Sequence, residues 1–132
     1  MATSDQKVTT FLLFQGQAEE AMNVYTSLFA DSEIKNILYQ EDGTVLHATF
    51  SIKGQNLMCI DSGIKHEFTF TPAISLFVKC DTLDEIHHLF ESLSNGGAVL
   101  MPLGELPGME KFAWVQDSFG VSWQLSLPSR DN

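Results

Sequence analysis

The chain has 132 residues, 44% of them hydrophobic, enough for one compact core, with no apolar run of membrane-spanning length. Seven Lys plus Arg against seventeen Asp plus Glu leave a net charge of -10. A surface that acidic repels phosphate backbones and anionic lipid, so neither nucleic acid nor membrane is expected as a partner. Residues 1–8, MATSDQKV, lack the charged-then-apolar layout of a secretory leader, which makes a cytoplasmic protein the expectation. Cys59 and Cys80 each end an apolar run and read as packed, reduced thiols without a base or an electropositive partner in sequence.

In chain order, Val8 to Phe14 reads as a strand and Gln15-Gly16-Gln17 as a corner. Ala18, Ala21, Met22, Tyr25 and Phe29 then fall on one stripe of a helix, with Glu19 and Glu20 in its first turn where the macrodipole favours negative charge. Glu33 to Gln40 is a second strand, and the Asp42-Gly43 step signals a hairpin. Leu46 to Ile52 alternates, and Lys53-Gly54 turns into a fourth strand, Gln55 to Ile60. Asp61 to Pro72 links the halves.

Ala73 to Cys80 opens the second half as a strand. Asp81 or Thr82 caps the next helix, with Glu85 able to complete a capping box. Leu83, Ile86, Phe90 and Leu93 form its stripe, and Asn95-Gly96-Gly97 stops it. Ala98 to Met101 is a short strand, followed by a loop over 101–109 carrying Leu103 and Leu106, which serves as a lid or as a dimer contact. Phe112 to Gln116 and Val121 to Leu127 make a last hairpin through Asp117-Ser118-Phe119-Gly120.

The two halves repeat one phrase. TFLLFQGQAEEAMNVYTSLF, from Thr10 to Phe29, overlays SLFVKCDTLDEIHHLFESLS, from Ser75 to Ser94, without a gap, so that Phe11 meets Leu76. The expectation is a single domain over 1–132 built of two strand–helix–three-strand modules, 8–61 and 73–128. Alternation divides each sheet into two faces. Phe11/Leu13, Leu46/Ala48/Phe50/Ile52, Ile74/Leu76/Val78 and Trp123/Leu125/Leu127 are apolar, as a helix-covered face should be. The opposite faces mix Thr10, Leu12, Phe14, His47, Thr49, Met58, Ile60, Ser75, Phe77, Ser122 and Gln124, a lining that suits a ligand pocket between sheets or, on the bland reading, a solvated sheet face.

The residues Gly16-Gln17-Ala18-Glu19-Glu20-Ala21-Met22-Asn23 with Tyr25, the run Phe70 to Val78, and the closing Asp117-Ser118-Phe119-Gly120-Val121-Ser122-Trp123-Gln124 resemble the PhnB-like branch of the vicinal oxygen chelate superfamily. That superfamily includes glyoxalase, bleomycin-resistance proteins and dioxygenases, and the branch carries the label 3-demethylubiquinone-9 3-methyltransferase-like. The resemblance implies an α+β fold of two βαβββ modules, forming paired curved mixed sheets with helices on the outer face, as in dihydroxybiphenyl dioxygenase. It also implies a homodimer.

Catalytic members of that superfamily hold a divalent metal with four inward ligands. The matching positions here are Thr10, Met58, Ser75 and Gln124, none of them a His, carboxylate or thiolate. Such groups do not hold a first-row ion against water, so no metal is expected. A Gly-rich loop after a strand, which a Rossmann-type methyltransferase needs, is absent too, and no cofactor is expected. His87 and His88 are adjacent on a helix and cannot chelate together; His66 reads as a solvated linker residue.

His47 is the one candidate general base. The resulting expectation is a metal-free protein binding a small aromatic or oxygenated molecule in a pocket of Thr10, Leu12, Phe14, His47, Thr49, Met58, Ser75, Phe77, Trp114, Ser122 and Gln124. The alternative is a glyoxalase-, dioxygenase- or methyltransferase-like enzyme acting on a small substrate.

Overall fold

The computed structural model describes residues 6–129. Its elements are β1 (Thr10–Phe14), α1 (Ala18–Leu28), β2 (Glu33–Tyr39), β3 (Val45–Ile52), β4 (Gln55–Asp61), β5 (Leu76–Lys79), α2 (Leu83–Ser94), β6 (Ala98–Leu106), β7 (Met109–Gln116) and β8 (Ser122–Pro128). The chain divides into two compact units, Met1–His66 and Glu67–Asn132. Each carries one four-stranded sheet, ordered β1-β4-β3-β2 in the first and β5-β8-β7-β6 in the second. In both, the first strand runs parallel to the last and the other neighbours run antiparallel. The class is α+β, with one βαβββ plan used twice.

Each helix packs on one face of its own sheet. Ala18, Ala21, Met22 and Tyr25 are the buried stripe of α1, and the Tyr25 ring stacks on Phe50 of β3 with centroids 6.4 Å apart. Ile86, Leu89 and Leu93 do the same for α2. The helix starts are solved differently. In α2, Thr82 Oγ1 accepts from Glu85 N at 3.0 Å, and Glu85 Oε1 accepts from Asp81 N at 2.8 Å, a capping box displaced by one residue. In α1 the Gln17 side chain makes no cap. Asp61, at the far end of β4, accepts from Gly16 N at 2.8 Å and Ala18 N at 3.0 Å instead.

Strand register corrects the alignment of the two halves. Thr10 stands beside Leu57 as Leu76 stands beside Trp123, so Phe11 corresponds to Phe77 and Leu12 to Val78. The ungapped overlay is one residue out in this strand, and a one-residue slip exchanges the two faces. Thr10, Leu12 and Phe14 therefore lie on the helix-covered face, where Leu12 is 6% and Phe14 3% exposed, while Phe11, at 48%, lies on the other. Leu46 is displaced for a related reason. Tyr39 pairs with Val45 but Leu38 with His47, a bulge that leaves Leu46 over. Val45 takes the buried position at 1% exposure and Leu46 is turned out at 53%.

The loop expected over 101–109 is strand for most of its length. β6 continues to Leu106 and turns directly into β7, with register shifts on either side of Met101 and Gly104. Pro102 is accommodated because β6 is the edge of its sheet, where a missing N–H breaks no ladder.

Candidate functional site

The face of the first sheet away from α1 is built by register. Met58 sits between Phe11 and Thr49, and His47 lies one pair further along, opposite Leu38. The His47 ring meets Phe11 at a centroid distance of 6.5 Å, tilted by 34°. Asn56, on the same face as Met58, carries a buried amide oxygen with no hydrogen-bond partner among the described residues. Three of the residues proposed for this side, His47, Thr49 and Met58, share the face. Thr10, Leu12 and Phe14 do not, and Phe11 and Leu13 stand in their place.

The corresponding face of the second sheet holds a connected polar group. Phe77 pairs with Gln124, and Gln124 with Trp114. Trp114 Nε1 donates to Ser122 Oγ at 2.8 Å, Ser122 Oγ lies 2.7 Å from Ser75 Oγ, and Gln124 Nε2 donates to Ser75 Oγ at 3.5 Å. Ser122 is 2% and Phe77 58% exposed. The five residues that the sequence proposes on this side share this part of the sheet, four of them linked by hydrogen bonds and Phe77 placed beside Gln124 by strand pairing.

Two buried aspartates, not singled out in the sequence, pin these faces. Asp61 Oδ2 accepts from Val45 N at 2.9 Å while Oδ1 holds the start of α1. Asp117 Oδ1 accepts from Phe119 N and Val121 N, each at 2.9 Å, and Oδ2 from Trp123 Nε1 at 2.8 Å. The available signal was a carboxylate at the end of an apolar strand, where burial without partners would be costly.

The remaining candidates separate cleanly. Cys59 and Cys80 are buried free thiols, and burial followed by the charge of Asp61 pushes the Cys59 thiol up to about 12, far from a nucleophilic thiolate. His66 is not simply solvated: its Nε2 lies 2.8 Å from Ser62 Oγ. His87 and His88 are exposed. A hollow of about 310 Å³ near the start of α2 is lined by Thr82, Leu83, Asp84, Glu110 and Leu127. It lies away from both faces, and its Thr82 hydroxyl is already used in the cap.

A family model described as 3-demethylubiquinone-9 3-methyltransferase matches residues 6–126. Among solved structures, the PhnB protein from Bacillus cereus is 56% identical, with a TM-score of 0.89 over 92% of this chain and 99% of that one. A glyoxylase/bleomycin resistance protein/dioxygenase domain from a Frankia species shares the fold at 14% identity, TM-score 0.69, covering 99% of this chain and 96% of that one. TnmS3, an antibiotic-binding protein from a Streptomyces species, shares it at 17% identity, TM-score 0.59, over 96% and 100%. No curated protein matches the chain.

The groups that such relatives imply can be tested against the residues present. A divalent metal does not fit: the far faces offer a thioether at Met58, an amide at Gln124 and a hydroxyl at Ser75, and Thr10 points to the helix side. With the register restored, Phe11 answers to Phe77 and Ser75 to Thr9, and neither a phenyl ring nor a neutral hydroxyl holds such an ion. Among the described residues no group of three or more His, Cys, Asp or Glu could hold a metal ion. A nucleoside-type methyl donor fits no better at the strand–turn–helix junction, because the amides of Gly16 and Ala18 are already given to the Asp61 carboxylate. The pair Gly96-Gly97 closes α2, with Gly97 N donating to Ser94 O at 3.0 Å, and is no cofactor loop. Among the described residues no helix is long and apolar enough to cross a membrane.

Proposed function

The chain belongs to the family described as 3-demethylubiquinone-9 3-methyltransferase, the PhnB-like branch of the glyoxalase/bleomycin resistance/dioxygenase superfamily, and from that membership we propose that it is a metal-free binder of a small aromatic or oxygenated molecule. The observation that carries this reading is the Trp114–Ser122–Ser75–Gln124 group beside exposed Phe77. Few polar groups, fixed in place and flanked by aromatic surface, are what orients a small ligand.

On the face of the first sheet, taken by itself, His47 is read as a wall and not as a base, because its ring meets the apolar Phe11. TnmS3, described as antibiotic-binding, shares this fold, which supports reading the fold as one that holds small molecules. We take the working form to be a cytoplasmic homodimer, which light scattering on the purified protein checks.

Titration with small quinones, phenols and aromatic ketones, read by tryptophan emission and melting temperature, tests the proposal. Trp123 is buried against Asp117, so quenching should come from Trp114 and vanish in Trp114→Phe. A panel that moves neither signal counts against binding; stoichiometric metal in gently purified protein counts against the metal-free reading.

A further inference from the structure

The hydroxyl group of the second sheet has a direction that follows from counting protons. Ser122 is 2% exposed, and its oxygen already accepts from Trp114 Nε1. A buried hydroxyl proton needs an acceptor, and among the described residues the one within reach is Ser75 Oγ at 2.7 Å. Ser122 is therefore the donor of that pair. Ser75 Oγ then receives two hydrogen bonds, from Ser122 and from Gln124 Nε2 at 3.5 Å. Both its acceptor positions are filled and its own proton is unspent. Turning the Gln124 amide over makes its oxygen accept the Ser75 proton, and the whole NH₂ group then becomes the unspent donor. In the first arrangement the Gln124 oxygen also stays open as an acceptor; in both, the chain that starts at Trp114 ends in a donor, and hydrogen bonds in series polarise one another toward that end.

We propose that the Trp114–Ser122–Ser75 chain, completed by Gln124, is a donor relay selecting ligands that carry an uncharged oxygen acceptor, such as an aromatic ketone or quinone carbonyl. The inference deepens the binding function proposed above and rests on it. Phe77, exposed and paired with Gln124, lies where the apolar body of such a ligand would follow its carbonyl. A charge of -10 disfavours a fully anionic ligand at this surface.

Matched probes test the relay: acetophenone and propiophenone against propylbenzene and cumene, at equal free concentration, observed by saturation-transfer NMR on the full chain. Wild type should prefer the ketones by about fivefold, the value of one net hydrogen bond, and Ser75→Ala/Gln124→Leu should remove the preference while still binding the hydrocarbons. Binding without preference, or a preference retained in the double variant, overturns the relay and leaves the binding function standing. Failure of all four probes overturns both.

A ligand-free measurement guards against a variant that does not fold. In ¹⁵N-labelled protein, Ser122→Ala should shift the indole N–H resonance of Trp114 and leave that of Trp123, which is bonded to Asp117. If neither resonance moves, the first link is missing and the inference falls.

Discussion

Trp123 Nε1 donates to Asp117 Oδ2 at 2.8 Å, while the other oxygen of that carboxylate gathers the amides of Phe119 and Val121. One buried group thereby closes the β7–β8 turn and fixes the largest side chain of the second core. Asp117→Ala should lower stability by about 3 kcal/mol, since it strands buried donors. Asp117→Asn keeps one oxygen for the turn and should cost about half as much. Urea unfolding followed by Trp123 emission measures both; equal losses would show that the oxygen kept for the turn contributes nothing, and no loss in Asp117→Asn that the bond to Trp123 contributes nothing.

Gly97 has a different vulnerability. A Cβ there would stand 1.9 Å from Gln116 O, a clash with backbone that no rotamer relieves. Gly97→Ala should cost about 3 kcal/mol or more. Gly54 is the contrast: its Cβ would meet nothing within 4 Å, but its φ of +91° should cost Gly54→Ala about 1 kcal/mol. Melting temperatures of the two variants should rank in that order.

Cys59 gives a pH prediction. Its folded value of about 12 lies above the ordinary thiol value of 9.0, so the protonated thiol favours the folded state. That contribution is fully present below pH 9 and lost as pH rises toward 12. The stability gap between wild type and Cys59→Ala should therefore narrow between pH 9 and 11 in urea titrations. A constant gap would mean the thiol is not shielded as its burial indicates.

At the start of α2, Thr82→Ala removes the acceptor for Glu85 N and should cost about 1 kcal/mol. The equivalent loss in α1 should follow Asp61→Ala and not a change at Gln17, whose side chain caps nothing. Helical signal and denaturation midpoints on Thr82→Ala, Gln17→Ala and Asp61→Ala distinguish a helix capped from within and one capped by a distant strand.

Much of the site was legible before the fold was known. Phe77, Ser122 and Gln124 alternate with large apolar residues on strands whose phase is plain, and Ser75, just before β5, joins them through Ser122 Oγ. Asp61 escaped notice because its three donors come from Gly16, Ala18 and Val45, residues remote in sequence that only chain folding assembles.

By itself the sequence determined the twice-used βαβββ plan and the buried stripe of α1, because periodicity is a local property; in α2 the stripe expected through Leu83 and Phe90 runs through Leu89 instead, with Leu83 42% exposed. The tertiary structure alone decided the phase of β1, the bulge at Leu46 and the length of β6. A run such as Thr10 to Phe14, apolar at nearly every position, is equally content with either face inward. Which face is buried is settled by the strand it bonds to, and β4 is some forty residues away.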